Sequence, residues 1–140
     1  MNKYMSDNYH GYNLRAIEEF WNLTPIQVSE IAHGCGPGSG WKEKIIPDTI
    51  LGICITPACN IHDVEYHFGD THEDKEEADL NLIHNALLIN NKDSKFWLFK
   101  SIRRKLILSY YEAVSDFGAL AFWTQDKLEA LKNGEVNSVL

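Results

Sequence analysis

Apolar residues recur three and four positions apart along most of this chain, and that spacing predicts a series of helices. After a polar stretch from Met1 to Asn13 that reads as a tail, Leu14, Ile17, Phe20 and Trp21 carry helical spacing. Thr24-Pro25-Ile26-Gln27 is a capping-box pattern opening a short helix to about Ala32, which the following glycines end. Gly34 to Gly40 holds four glycines and a proline in seven residues and must be a loop. Trp41 to Ile55 is irregular, with a short extended piece expected over Thr49 to Ile55. Thr56-Pro57 is a helix-start signal, an N-cap hydroxyl before a proline at the first helical position. That helix runs to about Phe68 and Gly69 closes it. Thr71-His72-Glu73-Asp74 is a second capping box, starting a helix to about Ile89, and Asn90-Asn91-Lys92-Asp93 reads as a turn. Ser94 opens a long amphipathic helix to about Ser115, with Phe99, Ile102, Leu106 and Tyr110 on one stripe; Gly118 interrupts or kinks it before a last helix over Ala119 to Leu131. No repeat, linker or low-complexity segment divides the chain. The expected fold is all-α, with little or no β: one domain over 1–140, ending in a pair of C-terminal helices within 94–133.

Size and charge narrow the function classes. At 140 residues and 16.0 kDa the chain is large enough for one real core. A net charge of −7 argues against non-specific binding of nucleic acid, which needs a basic surface. The charge is uneven: Asp63 to Asp79 holds eight acidic residues and one lysine, while Lys95 to Lys105 holds five of the thirteen basic residues and no acid. Solvated helix faces account for most such runs. No apolar run approaches the length of a membrane span. Met1 to Asn13 lacks the apolar core of a signal peptide, so none is expected there, and the compartment and oligomeric state stay open. Three cysteines, Cys35, Cys54 and Cys59, are too few for a disulfide-dense scaffold, and an odd count leaves at least one free or paired between chains.

Candidate chemistry concentrates on two helices. On the helix from Thr56, Cys59, His62 and Tyr66 share a face, while Asp63 points about a quarter turn away. Asp79 lines up with Leu82, Ile83 and Ala86 on the apolar face of the next helix, where a lone carboxylate is costly. Taken alone, such an Asp is most often a first-turn residue or an edge ion pair. Antiparallel packing across Gly69-Asp70 would instead bring it to His62 and Tyr66. A carboxylate on one imidazole nitrogen fixes the tautomer and leaves the other nitrogen for base chemistry. The glycine loop has three readings: a plain turn, a phosphate cradle, or a ring of carbonyls around a hard cation. The cradle lacks the Lys-Ser/Thr of a phosphate loop, and Asp63 would complete the cation cage. His67, His72 and His84 lack zinc-ligand spacing. Cys54 reads as a buried small residue or a free thiol. Phe96-Trp97-Leu98-Phe99 followed by Arg103-Arg104-Lys105 fits core packing of a long helix, or an interfacial patch for anionic lipid. Tyr110-Tyr111 and Phe122-Trp123 fit either core or the walls of an acyl channel.

Three separated motifs, Cys35-Gly36-Pro37-Gly38, Cys59-x-x-His62-Asp63-x-x-Tyr66 and Ala78-Asp79, together resemble the calcium-dependent secreted-type phospholipase A2 superfamily. The resemblance covers roughly His33 to Asn85, with a motif-bearing core at about 33–89. It implies two antiparallel catalytic helices behind an upstream glycine-rich calcium loop. It also implies that His62 activates water, that Asp79 orients His62, and that Tyr66 braces Asp79. Asp63 would be the side-chain ligand to Ca2+, with carbonyls of Gly34, Gly36 and Gly38 as the loop ligands. The Gly36 amide would help hold the oxyanion, and Cys35 and Cys59 would form a disulfide. A secreted or virion-associated home and a phospholipid surface as substrate follow from the same likeness.

Departures from the family pattern are specific. Glu65 and Ala78 stand where the family places two cysteines that pair, so both halves of that bridge are missing together. The interval from His62 to Asp79 is short, so the usual β-wing is not expected. The Gly-Pro-Gly loop and compact spacing are closer to the phospholipase domains of viral capsid proteins. The implied reaction is calcium-dependent hydrolysis of the sn-2 acyl ester of glycerophospholipids. The alternative is a non-catalytic phospholipase-like module that binds calcium or a partner, including a viral or phage particle component.

Overall fold

The computed structural model describes residues 2–32, 49–94, 97–118 and 122–132. The described residues are mainly helical, 69%, with six helices and two small two-stranded antiparallel sheets. The first sheet corrects the expectation of a tail; the mainly helical fold carries its little β in these two small sheets. Strands β1 (Tyr4–Tyr9) and β2 (Tyr12–Ile17) pair in register from Tyr4 opposite Ile17 to Tyr9 opposite Tyr12. His10 and Gly11 turn between them with φ of 52° and 86°, a two-residue turn whose positive dihedrals suit the twist of a hairpin. Leu14 and Ala16 face inward by strand alternation. The helical spacing of Leu14, Ile17, Phe20 and Trp21 therefore yields a strand followed by one short helix, α1 (Glu18–Asn22).

Helix α2 (Pro25–Ile31) is capped as its sequence predicts: Thr24 Oγ1 accepts from the Gln27 backbone N–H, and the Gln27 side chain accepts from the Thr24 N–H at 2.9 Å. The expected extended piece is a second small hairpin, β3 (Thr49–Ile50) and β4 (Ile53–Cys54). It leads into α3 (Thr56–Phe68), whose cap position is Ile55 rather than Thr56, with no side-chain cap. Gly69 follows α3, and Thr71 caps α4 (His72–Asp93) through a reciprocal pair of bonds with Asp74. Only Gly69 to Thr71 separate the two helices.

Helix α4 runs a full turn past the predicted stop at Ile89, and the first hairpin explains why. Tyr12 Oη donates to Asp93, and Lys92 Nζ donates to the Gly11 carbonyl, so the hairpin tip holds the last turn in place. Asn90, expected in a turn, is buried and donates to the Lys100 carbonyl at 3.1 Å. Farther up the helix, Asn81 and Asn85 both donate to the Arg15 carbonyl at 2.7 Å, and the Arg15 N–H donates to Asn85 at 2.9 Å. Two asparagines one helical turn apart thus serve as the hydrogen-bonding neighbour of the outer edge of β2. This is why the buried side of α4 is partly polar.

Helix α5 (Trp97–Phe117) packs on α4, and α6 (Gln125–Lys132) follows. The predicted α5 stripe holds only in its second half: Leu106 and Tyr110 pack against the core beside the buried Ile107 and Val114, whereas Phe99 and Ile102 are exposed. The main core joins Leu14, Ile17 and Phe20 to Ile55, Ile61, Leu82, Ile89, Ile107 and Val114. A smaller cluster of Tyr66, Ala78 and Phe122 sits beside it.

Candidate active site

Helices α3 and α4 run back along one another, and the pairing delivers three of the candidate residues to one point. His62 Nε2 lies 2.9 Å from Asp79 Oδ1, and Tyr66 Oη donates to the same oxygen at 2.6 Å. The two rings are themselves in contact, their centroids 4.1 Å apart. All three side chains are buried, His62 completely. Since Nε2 is the nitrogen on Asp79, Nδ1 is the ring nitrogen on the side away from that carboxylate.

A fourth residue, absent from the sequence reading, completes the carboxylate shell. Lys75 Nζ donates to Asp79 Oδ2 at 2.8 Å and to the Ser115 carbonyl at 3.1 Å. Lys75 is the single lysine in the acidic run, one helical turn before Asp79, and that i,i+4 spacing was the available signal. Burial pushes the Asp79 carboxyl up, but the hydrogen bond and charge of His62, with the bonds from Lys75 and Tyr66, outweigh it. The carboxyl consequently lies below its ordinary value. Tyr66 moves the other way: burial first, then the Asp79 charge and hydrogen bond, keep its phenol protonated far above the usual range. It is a fixed donor.

The C-terminal segment closes over Tyr66. Phe122 meets the Tyr66 ring edge-on at 5.2 Å, and Lys127 donates to the Tyr66 carbonyl while lying 4.0 Å from the Phe122 ring centre. Burial lowers the Lys127 ammonium to about 8, partly offset by the charges of Asp70 and Asp74. Gly118 is the closest neighbour in kind: a Cβ there would overlap the Tyr66 hydroxyl oxygen and the Val114 carbonyl. Its role is space for the phenol. Phe122, open in the sequence between core and channel wall, is core.

The remaining candidates divide between described and undescribed residues. Asp63 is half-buried on α3. Gly34, Cys35, Gly36 and Gly38, expected to form the calcium loop and the disulfide, lie outside the described residues. Cys59 is fully buried on the His62 face of α3, while Cys54, one of whose readings was a buried residue, is an exposed free thiol. Among the described residues no three His, Cys, Asp or Glu side chains converge as a metal site. Asp63 carries a carboxylate, the side-chain chemistry a hard cation accepts beside backbone carbonyls.

Behind α3 lie two further features. Glu65 is fully buried, accepts from Asn81 at 2.6 Å and from the Ile17 backbone, and leaves Oε2 without a hydrogen bond. Burial holds its carboxyl well above the carboxylate range. On another side, a cavity of about 520 Å³ is lined mainly by Tyr9, Phe20, Trp21, Leu23, Val28 and Asn60. Comparison of the chain with protein-family models, curated proteins and solved structures finds no match.

Proposed function

We propose that the protein is a calcium-dependent phospholipase A2-like hydrolase that cleaves the sn-2 acyl ester of glycerophospholipids. The observation that carries this reading is Asp79 receiving His62 and Tyr66 together, inside the core and across two helices. A buried carboxylate on Nε2 makes sense when the opposite nitrogen must take up and return a proton at a fixed point. In the proposed reaction Nδ1 of His62 takes a proton from water as its oxygen bonds to the ester carbonyl carbon. The same proton passes to the departing glycerol oxygen as the acyl C–O bond breaks, releasing a fatty acid and a lysophospholipid. Asp79 stabilises the imidazolium in between, and Tyr66 and Lys75 keep Asp79 ionised and in place.

Calcium, when bound, would polarise the carbonyl and stabilise the oxyanion. Asp63 and the carbonyls of Gly34, Gly36 and Gly38 are the proposed ligands, the Gly36 amide assists, and a Cys35–Cys59 bridge would tie loop to helix. Because His62 is completely buried, the proposed activity includes an opening step that admits water and ester. The aromatic lining of the cavity beside α3 has the apolar character an acyl chain requires.

Lys75 favours a second reading, a calcium- or partner-binding module without turnover. Its charge already satisfies Asp79 and weakens the attraction left for an imidazolium. Fatty-acid release from mixed phospholipid vesicles, with calcium and with excess chelator, separates the two. Calcium-dependent release supports the hydrolase; calcium binding by a folded protein with no release supports the module.

A further inference from the structure

Every fourth residue of α5 from Lys100 onward belongs to one row: Lys100, Arg104, Leu108, Glu112 and Asp116. Residues at this spacing make a continuous ridge on the surface of a helix. Arg104, Leu108, Glu112 and Asp116 are exposed and Lys100 is half-buried, while Ile107 and Val114, away from the row, anchor the helix in the core. Arg103 is on the packed flank, where it donates to the Ile50 and Leu51 carbonyls. Trp97, 78% exposed, lies eleven positions before Leu108 and so returns to the same side of the helix.

The row is unfavourable for a helix standing alone. Its two bases are one turn apart and repel, and so do its two acids. Their order also opposes the backbone dipole, which favours acids at a helix start and bases at its end. The first turn of α5 has no acid and the last turn no base. Among the described residues no ion pair joins any of the four charged side chains to another. A second copy of the row, reversed end for end, offsets these costs. Arg104 and Glu112 stand four positions either side of Leu108, and Lys100 and Asp116 stand eight. An antiparallel pair related by a two-fold axis at Leu108 therefore sets every base of the row against an acid. The commonest class of helix packing lays such ridges alongside one another. The Leu108 side chains then meet at the axis, and Trp97 extends the contact toward the far end of the other α5.

We propose that this face of α5 is a self-complementary interface that pairs the chain with a second copy, antiparallel, about Leu108. Arg104 of each copy meets Glu112 of the other near the axis, and Lys100 meets Asp116 at the rim. Both ion pairs occur twice, because a two-fold interface repeats every contact. One helix face is a small interface, so the dimer belongs to the weak class, with a Kd on the order of 10–100 μM. The assignment makes no use of the buried His62 site and stands apart from its chemistry.

The test is sedimentation equilibrium of the full chain from about 5 to about 300 μM, which brackets that Kd. Expected is a monomer–dimer equilibrium for the wild type. Arg104→Glu sets acids against acids, and Glu112→Arg sets bases against bases. Each raises the Kd by about 30-fold, with circular dichroism and melting temperature little changed because both side chains are exposed. An equimolar mixture of these two variants restores association as a one-to-one heterodimer, since each supplies the charge the other lacks. Leu108→Glu, which places two carboxylates at the axis, loses association and serves as an independent arm. A wild type that stays monomeric at about 300 μM leaves the face to a different partner and overturns the proposal. Association undiminished in either charge reversal or in Leu108→Glu, or none in the mixture, would overturn it as well.

Discussion

Lys75 donates to Asp79 Oδ2, the one carboxylate oxygen that neither His62 nor Tyr66 uses, at 2.8 Å. The bond ties the proposed acid–base pair to α5 through Ser115, so the pair is held from a third helix. Breaking a buried ion pair by removing one partner leaves the other uncompensated. Lys75→Met is expected to destabilise the fold by roughly 1–3 kcal/mol, the cost of a lost charged hydrogen bond. Under the proposed function it lowers kcat by about tenfold with little change in KM, since Lys75 acts through Asp79. Denaturant unfolding and steady-state kinetics of the variant read the two effects separately.

Gly118 tests whether the Tyr66 hydroxyl is positioned by space. Gly118→Ala places a methyl group over that hydroxyl and the Val114 carbonyl, at an expected cost of about 1–3 kcal/mol from overpacking. Tyr66→Phe removes one of the two obstructing atoms. In a double-mutant cycle the two costs should add to less than their sum, by more than about 0.5 kcal/mol. Strict additivity would mean that the two positions are not coupled.

Glu65 and Asp79 predict opposite pH dependences. Asp79 has a lowered folded pKa, so its contribution is fully present above the unfolded aspartate value of about 3.9 and is lost as pH falls through the folded value. Glu65 has a raised folded pKa, chiefly from burial, so the native state keeps a proton that the unfolded chain releases near pH 4.3, roughly. Stability therefore declines as pH rises from there through the folded value of Glu65. Glu65→Gln keeps an acceptor for Asn81 and removes the ionisation. It should raise stability at pH 8 by about 1–3 kcal/mol and flatten the decline, as read by urea unfolding across pH.

The asparagine clamp on β2 gives a stability prediction unconnected to chemistry. Asn85→Leu leaves the Arg15 N–H without its acceptor, while Asn81 still serves the carbonyl. The expected cost is roughly 1–3 kcal/mol. Amide hydrogen exchange at Arg15 should rise in parallel, because the strand edge then opens to water.

What could be read from the chain follows from where its information is local. Thr24, Thr71 and the positions three residues after each write their helix starts in adjacent residues, and those starts are as predicted. The approach of Asp79 to His62 and Tyr66 was legible because only Gly69 to Thr71 intervene and helical geometry fixes the rest. The first hairpin was not. Its apolar positions Leu14 and Ile17 satisfy a helical period, whereas the strand's inward face is Leu14 and Ala16, and His10 takes a left-handed turn position more often filled by Asn, Asp or Gly. Lys75, Asn81 and Asn85 look like solvent-facing residues until the strand edge and carboxylate they serve are in place. The exposure of Trp97 also depends on tertiary packing, because the orientation of α5 is set by Ile107 and Val114 against the core.

The central claim, that His62 activates water against the sn-2 ester, is tested most directly by regiochemistry. Phosphatidylcholine carrying different acyl chains at sn-1 and sn-2 is incubated with wild-type protein and with His62→Gln in calcium, and the released acids are identified by mass spectrometry. The account predicts release of the sn-2 acid alone by wild type, and a loss of at least about 100-fold in His62→Gln, the scale of a positioned base, with the fold intact. Release of the sn-1 acid, or undiminished release by His62→Gln, would contradict it.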